Sequence, residues 1–250
     1  MNAKCLLFAV AAAAALAGCA GMAPHAWEVT PEIRAVVASP DRSDADRKTD
    51  ERRKPEMMLA FAGVKPGMKV LEVGAGAGYS AELLARSVGP QGVVYAHNSP
   101  DAIARFIKTR FDERAAKPVM GNVVKLIREF DDPVPSDVRG LDLATMLFEY
   151  HDTPAAGIDR AKMNRRIFDA LKPGGTFVVA DHSAKTGAGV SASRTLHRID
   201  EAVVRQEVEA AGFKFVAAAD FLRNPDDPRD ATSSRATIRV DEFVLKFVKP

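Results

Sequence analysis

The stretch Val70-Leu71-Glu72-Val73-Gly74-Ala75-Gly76-Ala77-Gly78-Tyr79-Ser80 decides the fold. A short apolar run empties into three glycines and then into a helical pattern over residues 80–88, the order of a buried strand, a tight loop and a helix start. Glycines there permit unusual dihedrals and close approach of a ligand to the main chain, while the helix N-terminus favours negative groups. The dinucleotide fingerprint asks for a glycine three places after the second. Counted from Gly74 and Gly76 that place is Tyr79, and the register Gly76, Gly78, Ala81 meets only the looser form. The Walker phosphate loop is excluded, because no Gly-Lys-Ser/Thr follows. Glu72 narrows the ligand further: a carboxylate at the strand's end suits an ammonium group and repels a pyrophosphate.

Outward from this loop, apolar β-rich runs alternate with helical segments. Strands are expected at 69–73, 93–96, 123–127, 141–148, 176–180, 214–218 and 240–248, and helices at 55–62, 80–88, 100–114, 159–171 and 196–211. Such alternation implies an α/β fold with a mostly parallel, seven-stranded sheet covered on both faces. No helix separates the last two strands, which predicts an antiparallel pair at the sheet edge. Their long connection, 220–235, then leaves the C-terminal end of the sixth strand, where open α/β sheets bind ligands.

Two strand ends carry histidine beside carboxylate. The fourth runs out as Tyr150-His151-Asp152 and the fifth as Asp181-His182-Ser183, while His197 and Asp200 are spaced to share one helix face. A histidine near its ordinary pKa can take a proton from a hydroxyl, and a neighbouring carboxylate can orient it. These groups could instead hold a divalent cation or a polar substrate, but their spacing matches no strict ligand motif and no metal is assigned.

The strand, acid and Gly-x-Gly-x-Gly of residues 70–78 resemble class I S-adenosylmethionine-dependent methyltransferases, and element order follows that family over residues 55–249. The resemblance implies a Rossmann-like fold and S-adenosyl-L-methionine as cofactor, held by Glu72, Gly74, Ala75, Gly76 and Gly78. The family's ribose-binding acid falls at Asn98, an amide that can bond a diol without charge; the bland alternative is that His97 and Asn98 merely begin a loop capped by Ser99-Pro100. Glu129 and Phe130 match the adenine-contacting positions, with Asp131 and Asp132 as shifted candidates or a plain turn. The fourth strand is also similar to small-molecule O-methyltransferases, which makes His151 the expected base and Asp152 its orienter. Tyr150, Asp181, His182 and His197 are then expected on the substrate side.

The remaining composition sets the compartment and partners. With 250 residues, 47% hydrophobic and 27% charged, the chain can bury a full-sized core. Thirty-five Lys and Arg against 33 Asp and Glu leave a formal charge of +2, too little field for a phosphate-tracking protein, so no nucleic-acid partner is expected. Both cysteines, Cys5 and Cys19, lie in the first twenty residues, which leaves none for disulfide, thiolate-metal or cysteine-nucleophile chemistry in the folded body. Residues 1–18 read as an export signal, with Lys4 ahead of an apolar run too short to span a bilayer. Leu16-Ala17-Gly18-Cys19 is similar to the lipobox of bacterial lipoproteins, which implies a lipid anchor at Cys19, and Ala20 after it points to the outer membrane facing the periplasm. Residues 19–54 are expected to be a tether and charged extension, and 55–250 a methyltransferase-like domain. The expected activity is methyl transfer to a small molecule's hydroxyl. Because the cofactor is made in the cytoplasm, an exported, non-catalytic binding protein is the alternative, ahead of an NAD-linked oxidoreductase.

Overall fold

The computed structural model describes residues 27–250, so the signal, the lipobox and Cys19 lie outside the described residues. The helices are α1 (Pro31–Val37), α2 (Asp44–Arg53), α3 (Pro55–Ala62), α4 (Tyr79–Val88), α5 (Pro100–Ala102), α6 (Arg110–Ala115), α7 (Asp152–Ala155), α8 (Arg160–Ala170), α9 (Ser193–Leu196) and α10 (Glu201–Ala210). The strands are β1 (Lys69–Val73), β2 (Val93–Asn98), β3 (Val123–Ile127), β4 (Leu141–Leu147), β5 (Leu171–His182), β6 (Lys214–Ala219) and β7 (Glu242–Val248). They form one sheet in the order β3-β2-β1-β4-β5-β7-β6. β3 through β5 are parallel, and β7 inserts antiparallel to both β5 and β6, which gives the expected antiparallel pair at the edge.

Side-chain alternation divides the core between the two faces of the sheet. Val70, Leu143 and Val178 pack with Phe61, Leu83 and Leu84 on one face, and Leu71, Ala144 and Phe177 pack with Met163, Ile167 and Val204 on the other. The order reverses at β1, whose neighbours are β2 and β4, so the glycine loop opens at the switch point of the sheet.

Three expectations need correction. The described part of the 19–54 extension is not a tether. Ser43 caps α2 through Asp46 N, and the helix lies against the domain: Arg114 forks onto Asp46 (2.7 and 2.8 Å), Tyr79 donates to Asp50 (2.6 Å) and Arg52 reaches Glu242 (2.7 Å). Its charges meet fixed partners on the domain, which hydrophobic patterning does not register. The helix expected at 100–114 is broken by a π-turn over Ile103–Ile107 and a positive φ at Lys108 (52°), which together bury Ile107 and Phe111 while Phe106 faces solvent. The helix expected at 196–211 begins only at Glu201, because the Asp200 side chain caps it through Ala202 N (3.0 Å). His197 closes the short α9 in a left-handed conformation (φ 49°), so His197 and Asp200 share no helix face.

Candidate active site

Gly74, Gly76 and Gly78 all take positive φ (73°, 56° and 84°), the region that favours glycine. A Cβ at Gly74 would also lie 2.6 Å from Glu149 Cγ, so the loop has room there only for hydrogen. The end of β2 fastens the loop. Asn98 accepts from Gly76 N (2.8 Å) and donates to Gly76 O (3.0 Å), and His97 Nδ1 accepts from Gly74 N (3.3 Å) while its Nε2 donates to Arg128 O (2.9 Å). Burial holds His97 neutral by lowering its pKa to about 4. Asn98 therefore holds Gly76 with both amide atoms, where the expectation was a group offered to the ribose, and His97 is a tie of the loop, not the start of one.

Beyond β3, Phe130 packs edge-on against His97 (5.0 Å between centroids), beside the exposed Glu129. Asp131 and Asp132 pair with Lys162 and with Arg166, so the shifted candidates serve the turn.

On the sheet face under α2 and α3, Glu72 and Arg53 carry unmet polar atoms. Glu72 is buried with Oε2 unpartnered, and burial pushes its pKa up to about 7, against the pull of the Ser80 hydroxyl and Arg53. Arg53 stacks its guanidinium on Phe148 (4.3 Å) and faces Tyr79 (5.6 Å), with a buried Nε that has no partner among the described residues. Ser80, Thr145 and Phe148 line the same small cavity as Arg53. A zwitterionic amino-acid end fits this pair, with its ammonium toward Glu72 and its carboxylate toward Arg53. Sequence reasoning missed Arg53, because it sits in the charged run that was read as a tether. A broad surface groove bounded by Val36, Pro90, Val119 and Asn122 lies at the other end of α4 from this loop.

Next to this face, β4 and β5 bring two distant segments together. Leu147 registers with Ala180, so the following residues of each strand emerge side by side. Asp181 Oδ1 accepts from His151 Nδ1 (2.6 Å) and His182 N (2.7 Å), and Oδ2 accepts from His151 N (2.7 Å). Burial opposes the charge on both partners. Their mutual attraction wins: Asp181 stays below the usual carboxylate range, and His151 is raised to about 9. Glu149 beside them is pushed up to about 8, by burial first and then by Asp152.

Asp181 is thus the orienter of His151, which corrects two expectations. Asp152 lies on the opposite, outer side of the ring, with Oδ1 3.3 Å from His151 Nε2 and 2.8 Å from His197 Nδ1. Asp181 is fully buried beneath His151 and His182, accepting from three of their N–H groups, and so presents no surface to a substrate. Tyr150 is likewise withdrawn from the substrate side: it is buried in the opposite layer, where it donates to Glu207 (2.8 Å) and accepts from Asn164 (2.8 Å). His182 does lie beside His151, at 5.1 Å between centroids, with Nδ1 3.1 Å from Glu242 Oε1. His197 is brought over His151 by the 193–200 segment, whose Ile199 bridges to Ser183 and whose fully buried Arg198 pairs with Asp227 (2.7 Å). That pair pins the 220–235 connection to the site's flank.

Comparison with known proteins agrees with this architecture. A family model described as "Methyltransferase domain" matches residues 64–215, more than half of the chain. The ubiquinone/menaquinone biosynthesis C-methyltransferase of Idiomarina loihiensis is 28% identical over 127 residues, covering 51% of this chain and 47% of that protein. The chain spans about half the length of the curated relatives it matches. Among solved structures, a SAM-dependent methyltransferase from Aquifex aeolicus superposes with TM-score 0.58 at 21% identity, covering 84% of this chain and all of that one. Aeropyrum pernix fibrillarin, solved with natively bound S-adenosyl-L-methionine, gives 0.50 at 17% identity over 74% of this chain and 68% of that one. At such identities the structures speak for the fold, and the family model carries the assignment: this chain belongs to the methyltransferase domain family.

Proposed function

We propose that the protein methylates a hydroxyl oxygen of a small molecule, with His151 as the base. The observation that carries this reading is the Asp181–His151 pair at the mouth of the cofactor face. Asp181 fixes the ring through Nδ1, and Nε2 points outward toward Asp152 and His197, where an acceptor would sit. The cofactor supplies a methyl group already activated on a sulfonium, so the protein's share is placement and proton removal. Glu72 and Arg53 would hold its amino-acid end and the glycine loop its nucleoside, with Glu129 and Phe130 along the adenine side. His151 Nε2 takes the acceptor's proton, and Asp181 stabilises the imidazolium that results. Asp152 and His197, half-exposed beside Nε2, would position the acceptor.

The test is turnover of hydroxyl-bearing acceptors by the full-length chain and by His151→Gln. A loss of roughly 100-fold or more in kcat with little change in cofactor affinity is expected of a lost base. A variant within twofold of the parent refutes the assignment. Calorimetric titration with S-adenosylmethionine, S-adenosylhomocysteine and NAD decides the alternatives: heat from none of them would favour an exported binding protein on this fold. We also propose that the chain is exported and lipid-anchored at Cys19. Mass spectrometry of the mature N-terminus tests this, and a chain that begins at Met1 without lipid would overturn it.

A further inference from the structure

The outward face of His151 forms a second pattern that the base assignment does not use. His151, Asp152 and His197 come from two separated segments, and each offers a ligand atom within 4.8 Å of the other two. Asp152 Oδ1 sits between the two imidazole nitrogens, at 3.3 and 2.8 Å. A tetrahedral ion with bonds of about 2.0–2.1 Å spaces its ligand atoms about 3.3 Å apart, close to the two separations from Asp152 Oδ1, and rotation of the half-exposed His197 side chain can set the third. The rings of His151 and His197 are nearly perpendicular (79°, centroids 5.7 Å apart), an edge-to-face arrangement in which neither ring stacks over the other's nitrogen.

We propose that these three atoms bind a divalent first-row transition-metal ion of the zinc type. The surroundings are those such a site needs. His151 Nδ1–H donates to Asp181 at 2.6 Å, so the neutral ring is held in the tautomer whose Nε2 lone pair faces the cluster, as it is by the outer carboxylate in carboxylate–histidine–metal arrangements. The His151 main chain is held as well: its N–H donates to Asp181, and its carbonyl accepts from the Ser193 hydroxyl. His197 is set in its left-handed conformation between α9 and the buried Arg198. Two imidazoles and one carboxylate select zinc, cobalt, nickel or iron over magnesium and calcium, which take oxygen ligands. Asp152 and His197 are about half exposed, which leaves remaining coordination positions open to water or an acceptor. The neighbouring group His151, Asp181 and His182 also comes together, but Asp181 has already committed its oxygens to three N–H donors and makes the poorer ligand.

The functional consequence rests on the base assignment above. Metal and proton claim the same Nε2, so a bound ion withdraws the base, and zinc inhibits transfer in competition with the acceptor. The experiment is titration of the full-length chain with zinc chloride against a chromophoric chelator, with cobalt(II) as a spectroscopic substitute. One ion per chain is expected. His197→Asn, which keeps a residue at ease in the left-handed region, should weaken binding by roughly 100-fold or more, since even an outer-shell partner is worth 10–100-fold. His182→Ala should bind zinc within about twofold of the parent. The visible cobalt spectrum of a four- or five-coordinate ion should appear in the parent and be absent from His197→Asn. No saturable binding, or equal binding by His197→Asn and the parent, overturns the site. Zinc that stimulates turnover supports the site and instead refutes His151 as base. Absence of zinc binding together with an inactive His151→Gln refutes the site alone.

Discussion

Glu72 makes the affinity for the cofactor pH-dependent. It is a buried carboxylate with one unpartnered oxygen and a pKa raised to about 7, so near neutrality it divides between a neutral acid and an anion. Only the anion attracts an ammonium group, so binding should weaken as pH falls through the folded pKa. With that pKa near 7, about one molecule in eleven is ionised at pH 6 and about ten in eleven at pH 8, which corresponds to about a tenfold change in Kd, or about 1.4 kcal/mol. S-Adenosylhomocysteine is the probe of choice, because it carries the amino-acid end without the sulfonium charge. Calorimetry at pH 6, 7 and 8 in buffers of different ionisation enthalpy reads affinity and proton release together, and release should be largest near pH 6. In Glu72→Gln the pH dependence should flatten at the weak limit. A parent Kd constant within twofold from pH 6 to 8, or a Gln variant with the parent's slope, would refute the reasoning.

The same carboxylate costs stability in the ligand-free chain. Its folded pKa lies above the unfolded value of 4.5, so the folded state binds more protons between pH 4.5 and 7, and stability falls as pH rises through that window. Glu72→Gln should therefore raise the melting temperature of the ligand-free chain at pH 8, by up to about 3 kcal/mol of stability, while an unchanged melting temperature would count against the burial described. The pH–rate profile for a hydroxyl acceptor should rise toward alkaline pH with an apparent pKa of about 9, since Asp181 keeps His151 protonated below it; a plateau from pH 6.5 upward would mean that another group takes the proton. Gly74→Ala must place a Cβ 2.6 Å from Glu149 Cγ at φ +73°, and thermal unfolding should show a loss of at least about 1–3 kcal/mol. Arg198→Ala leaves the buried Asp227 without its partner and should cost about 3–5 kcal/mol, checked by denaturant unfolding.

The strands and the glycine loop were legible because burial on both faces leaves a continuous apolar signal, and because positive φ at Gly74, Gly76 and Gly78 leaves a glycine signature. The orienter of His151 was harder to read. Adjacent residues in sequence face different ways, and the partner came from β5, thirty residues on, through the Leu147–Ala180 register. Two strand ends rich in His and Asp, set in neighbouring parallel strands, were the signal that could have revealed it. Tyr150 looked like part of the same cluster, but the chain turns after a left-handed Phe148 (φ 66°) and delivers its ring to the opposite layer. Asp200 followed by Glu201 was an available helix-start signal, and it would have placed His197 outside the helix. Arg53 left no local trace, because its surroundings, Phe148, Tyr79 and Glu72, are assembled only in the folded molecule.

The contact between Arg52 and Glu242 joins residues 190 positions apart, and Glu242 also stands beside His182. One corner of the site is therefore built by the earliest helices of the described chain together with its last strand. On the ribosome the glycine loop emerges well before β7, so a half-made chain leaves Arg52 without Glu242. Such long-range closure is slow compared with helix formation, and the interval before β7 docks is when the nascent chain is most open to misassociation. That corner of the cleft closes only when β7 enters the sheet between β5 and β6.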